Sequence, residues 1–109
     1  MTTAELAGLI STVGVPFAYY QFPEGTNQPT PFICYYFPEN DDVFADNTNY
    51  VRIYELHIEL YTDEKDFELE ERLENILLDA GLSFVKSEAW IKSEKMQEIL
   101  YQTEVIING

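Results

Sequence analysis

The chain is short of basic residues, of cysteine and histidine, and of long apolar runs, and each shortage removes a class of function. Six lysines and arginines face 20 aspartates and glutamates, for a net charge of −14. Such a surface repels nucleic-acid phosphates and anionic lipid, which argues against sequence-specific nucleic-acid binding and membrane-surface binding. Cys34 is the only cysteine, so no intramolecular disulfide can form and a reducing, cytoplasmic setting is expected. No stretch approaches the ~20 apolar residues that cross a bilayer. The start, MTTAELAGLISTVG, lacks the basic lead of a signal peptide. The spacings GxSxG, CxxC, HExxH, GxGxxG and the Walker pattern are all missing. The acidic stretches around Asp41–Asp42 and in TDEKDFELEE lack the spaced oxygens and mid-loop glycine of a calcium-binding EF-hand.

What remains is the composition of one globular domain: 109 residues, 46% hydrophobic and 24% charged. Aromatic residues reach 15%. A domain this small leaves part of its unfolded surface uncovered, so some rings are expected at the surface, where they suit interfaces.

Leu6, Leu9, Ile10 and Val13 recur at i, i+3, i+4 and i+7, which predicts a helix capped by Thr2 or Thr3. Gly14 and Pro16 stop it. Residues 16–22 and 32–37 read as strands joined by the turn-rich PEGTNQPTP. FICYYF is apolar on both faces, so both faces are expected to be covered, by helices or by another chain. Residues 38–49 read as an acidic loop, long for a hairpin and expected to be mobile in the free subunit. The clearest strand spans residues 50–61, with Tyr54, Leu56, Ile58 and Leu60 on one face and Glu55, His57, Glu59 and Tyr61 on the other. Asp63 is placed to cap a second helix over residues 64–80, ended by Gly81, with Leu69, Leu73, Ile76, Leu77 and Ala80 as its apolar stripe. Residues 83–91 and 96–107 form a final strand pair about the turn KSEK. The order α-β-β-β-α-β-β predicts an α+β domain spanning 1–109, an antiparallel sheet with both helices on one face.

Glu55-x-His57-x-Glu59 is the one cluster with the residue types of a metal or acid–base site, since alternate strand residues point the same way. Its geometry is poor for that chemistry, because carboxylates at i and i+4 of a strand lie about 13 Å apart at ~3.3 Å per residue. A solvated sheet face explains the pattern better, and a subunit contact that His57 makes pH-sensitive is the alternative. A Cys34–His57 pair requires a reactive thiol, whereas a small thiol in an apolar strand is usually inert. Outside this strand, Val43 and Phe44 are apolar islands in the acidic loop. Phe67 and Leu78 lie opposite the stripe of the second helix, in a row with Glu71 and Glu74. Val43, Phe44, Glu55, His57, Glu59, Phe67 and Leu78 are therefore the candidate interface residues. No catalytic, cofactor or metal residue is assigned.

The run from TPFICYYF through YVRIYELHIELYTDEKD, the helix exit LLDAGLSF, the W-x-x-S-E-K-M hairpin and the Tyr-Gln strand that follows resembles the small tail-completion, or tail-terminator, proteins. These belong to long-tailed phages and prophages of Gram-positive bacteria. The resemblance implies a homo-oligomeric ring, typically of six copies, at the head-proximal end of the tail. Such a ring stops the tail-tube protein from polymerising and meets a head–tail connector protein. It implies assembly in the host cytoplasm, a place in the virion tail, and no catalytic residue. Other head–tail connectors, adaptor or stopper, share the composition. An acidic inhibitor that mimics DNA in the groove of a basic enzyme is the competing class.

Overall fold

A computed structural model of the chain describes residues 1–38, 40–43 and 51–108, and the side chains of 1–38 and 53–108. Its elements are α1 (Thr3–Ser11), β1 (Phe17–Tyr19), β2 (Phe32–Tyr36), β3 (Asn40–Val43), β4 (Val51–Thr62), α2 (Phe67–Asp79), β5 (Phe84–Ile91) and β6 (Met96–Ile106). The sheet runs β1-β2-β4-β6-β5, and β3 pairs with β4 off that path. The α+β reading holds, with two corrections. β1 lies parallel to β2, so the sheet is mixed and not purely antiparallel. The long connection between Tyr19 and Phe32 supplies the crossover that a parallel pair needs. The expected loop at 38–49 contains β3, which pairs antiparallel with β4 from Asn40↔Tyr54 to Val43↔Val51. Residue 39 and residues 44–50 lie outside the described residues, and with them the expectation of a mobile loop.

Local chemistry sets the element ends. Thr2 caps α1 through a capping box, its hydroxyl accepting from the Glu5 N–H while the Glu5 carboxylate accepts from the Thr2 N–H. α1 stops at Ser11, yet Val13 is still buried beyond it. Tyr20 sits at φ 70°, left-handed for a residue with a side chain, and ends β1 sooner than the run of aromatics suggests. Asp66, and not Asp63, caps α2 by accepting from the Leu69 N–H at 3.1 Å. Gly81, at φ 79°, follows the helix where only glycine is unstrained.

Register then aligns one apolar face across the strands. Ile33 pairs with Leu60, Tyr35 and Tyr101 both face Ile58, and Ile99 faces Leu60. Leu6 and Ile10 of α1 and Leu69, Leu73 and Leu77 of α2 enter the same core, so both helices cover this one face. Arg72 of α2 ties the layer together by donating to the Val13 carbonyl at 2.7 Å. Among the described residues no helix is long and apolar enough to cross a membrane.

Candidate functional site

Among the described residues, the other face of the sheet carries no helix. Here β4 presents Glu55, His57, Glu59 and Tyr61. Register brings Tyr36 of β2 beside His57, Phe32 beside Tyr61, and Gln102 and Glu98 of β6 beside His57 and Tyr61. These side chains form one polar chain. His57 Nε2 lies 3.1 Å from Glu55 Oε1, and its Nδ1 lies 3.3 Å from the Tyr36 hydroxyl. Tyr36 donates to Glu59 Oε2 at 3.2 Å. The Tyr61 hydroxyl stands 2.9 Å from Glu59 Oε1 and 3.1 Å from Glu98 Oε2.

Counting protons shows what the chain of bonds demands. Tyr36 spends its hydroxyl proton on Glu59, so it accepts from His57 Nδ1–H. Glu55 needs Nε2–H. The Gln102 amide nitrogen, 3.3 Å from Nε2, needs that nitrogen's lone pair instead, so Glu55 and Gln102 compete for one ring nitrogen. Tyr61 has one proton for two carboxylates, so it bonds fully to one and leaves the other facing its lone pairs. Burial raises the Glu59 carboxyl above its ordinary range, against the pull of the Tyr61 hydrogen bond, and Glu98 adds repulsion. Burial, then the Glu59 charge, pushes Tyr36 up to about 12 and Tyr61 further still.

This arrangement does not gather Glu55, His57 and Glu59 around one point. Glu55 turns to the imidazole, while Glu59 turns away to two tyrosines. Cys34 is buried beside Glu59 in the register, and burial raises its thiol to about 11, which keeps it protonated and a poor nucleophile. The expectation that both faces of FICYYF are covered holds for burial but not for cause. Phe32 stacks on Tyr61 at 4.8 Å and Tyr36 packs edge-on against His57 at 5.3 Å, so neighbouring rings do the covering. Where the β1–β2 connection and the β5–β6 turn rise beside this face, they leave a groove of about 580 Å³ floored by Phe32, Cys34, Glu59 and Tyr61.

The chain shares its fold with a virion protein. A chain from the virion of a native gene transfer agent (GTA) particle matches it with a TM-score of 0.62 and 19% sequence identity, over 94% of this chain and 86% of that one. No protein-family model matches the sequence, and no curated protein matches it.

The remaining candidates divide. Phe67 and Leu78 are 73% and 54% exposed on the outer side of α2, where the helical period placed them, and Lys65 Nζ lies 5.0 Å over the Phe67 ring. Val43 ends β3, and its side chain, like the whole of Phe44, lies outside the described residues. Two features escape a reading of the sequence alone. Glu70 is 1% exposed, its Oε1 held at 2.8 Å by both Lys65 and Lys86. Lys86 also bonds Glu74 at 2.8 Å, and Glu74 accepts from Tyr101 at 2.7 Å. Burial raises the Glu74 carboxyl, but these two bonds outweigh it and leave it below its usual range. The second feature is the free edge of β5, where Val85 is 66% and Trp90 57% exposed.

Proposed function

We propose that the chain is a non-enzymatic structural subunit of a phage-like particle, one that closes into a ring on the tail tube and takes part in tail completion and head–tail joining. The observation that carries this reading is the fold, shared over 94% of the chain with a virion protein. The sequence resemblance to tail-completion proteins points the same way. The tail-tube protein and a head–tail connector are the partners this role implies. A ring around a DNA channel also suits the charge: Glu55, Glu59, Glu98 and Glu104 share the helix-free face, and such a lining repels DNA and lets it pass. The DNA-mimic alternative draws less support, because Lys65 and Lys86 neutralise Glu70, Glu74 and Glu88 on the helical side.

Deleting the gene from its parent phage or prophage and imaging the particles tests the role. Overlong tails, or heads and tails that fail to join, are the expected result. Normal joined particles would remove the reading and turn attention to basic enzymes as partners.

A further inference from the structure

The sheet has two lateral ends, and among the described residues no strand pairs beyond either of them. β5 is the outermost strand at one end and β1 at the other. β5 offers eight residues, with every position from Val85 to Trp90 exposed. Among the described residues, no strand pairs with its outer side. A long edge with unpaired backbone groups and flanking apolar side chains is a template for another strand unless something blunts it. Inward-pointing charges are one such device, and β5 has Lys86 and Glu88 on the helix-covered side. Both are already bonded, Lys86 to Glu70 and Glu74 and Glu88 to Lys65, so their charges are met within the chain.

Charge singles out these two ends. In a chain of net charge −14, residues 6–23 contain no charged side chain at all, and β1 lies within them. Three of the six bases, Lys86, Lys92 and Lys95, fall in the hairpin of residues 84–95, against only Glu88 and Glu94. With Lys86 met by Glu70 and Glu74, and Glu88 by Lys65, the turn after β5 keeps Lys92 and Lys95 against Glu94 alone, a small positive excess, while the acids crowd the middle of the chain. Any approach of a second copy through the middle meets like charge. An approach of hairpin to uncharged edge does not.

We propose that the β5 edge of one copy docks on the β1 edge of the next, continuing the sheet from copy to copy; this rests on the ring reading above. Strand direction supports it. β1 is parallel to β2, and β2, β4, β6 and β5 are successively antiparallel, so β5 runs opposite to β1. A second copy in the same orientation thus presents β1 antiparallel to β5, the pairing with hydrogen bonds perpendicular to the strands. The faces also match. Trp90, paired with Gln97, and Tyr19, paired with Tyr35, both belong to the helix-covered side, so the two exposed rings lie on one face of the joined sheet. The two edges differ, so the contact is head-to-tail and closes into a ring when the rotation per copy allows.

Trp90 is the only tryptophan and reports on the joint directly. Sedimentation velocity and Trp90 emission are measured together across concentration. A Ser87→Cys chain is mixed with an Ala18→Cys chain and treated with a short bis-maleimide, the native Cys34 being buried. Association with a blue shift of Trp90 is expected, with covalent dimers in the mixture and not in either variant alone. Val85→Lys, at an exposed position, is expected to weaken association at least tenfold with unchanged circular dichroism. Assemblies that leave Trp90 emission unmoved and give no mixed dimer overturn the joint while the ring reading stands. A chain monomeric at every concentration also overturns the joint, and particle imaging then decides the virion role by itself.

Discussion

Ile58 and His57 are neighbours in sequence and lie on opposite faces of β4. Ile58 is fully buried between Tyr35 and Tyr101 under the helices. His57 lies on the face without helices, its ring held by Glu55 and Tyr36. One face is closed by apolar packing, which is non-directional and scales with the area removed from water. The other is closed by hydrogen bonds among side chains that have water as an alternative partner, so their net worth is small. The same strand thus carries the stability of the domain on one side and a titratable surface on the other.

The largest expected effect separates these faces. Ile58→Ala should lower unfolding free energy by about 3–4 kcal/mol, since a buried branched residue is replaced by a cavity. His57→Ala should cost less than about 1 kcal/mol, the range of a part-solvated hydrogen bond. Urea denaturation of the two variants measures the gap, and equal losses would break the distinction between the faces. Next is Glu70→Ala, which leaves Lys65 and Lys86 without their shared acceptor. A loss of about 2 kcal/mol is expected, below that of a fully buried pair because both lysines reach solvent. Among the described residues the second Glu70 oxygen has no partner, so Glu70→Gln should recover part of that loss by keeping one acceptor.

Glu59 sharpens the comparison through pH. Its folded carboxyl is raised by burial, so its contribution to stability is complete below the ordinary carboxylate range and is lost as pH climbs through the raised value. Glu59→Gln should match the parent chain at acidic pH and exceed it at neutral pH by under about 1 kcal/mol. Denaturation curves between those limits check the sign, and a variant less stable at neutral pH would show that the charge on Glu59 is favourable. Glu74, held low by Lys86 and Tyr101 despite its burial, acts in the opposite sense, its contribution fading as pH falls. The smallest effect belongs to the outer side of α2. Phe67→Ser in the free subunit should change thermal stability by no more than about 0.5 kcal/mol, as expected of an exposed residue.

Much of the fold was legible because periodicity carries it. The alternation along β4 named its two faces correctly, and the spacing in α1 and α2 named Leu6, Ile10, Val13, Leu69, Leu73 and Leu77 of the core, although Leu9 is half-buried and Ala80 exposed. Misreadings arose where one residue type serves two ends. Asp63 and Asp66 both suit a helix cap, and only the path of the chain after Thr62 selects Asp66. Glu70 sits in the acidic run TDEKDFELEE and looks like solvent surface until Lys86 reaches it from β5. β3 begins in a polar stretch, Asn-Asp-Asp-Val, that no propensity favours as a strand, and pairing with the long β4 recruits it.

Element types, apolar stripes and the acidic balance follow from the sequence alone, because helical and strand periods and side-chain charge are properties of near neighbours along the chain. The parallel seating of β1, the burial of Glu70 and the joining of His57, Tyr36, Glu59 and Tyr61 into one network arise only in the folded chain. So does the choice of which strands become the open edges. Each of these depends on strand order and register, which bring together residues whose separation along the chain leaves no local trace.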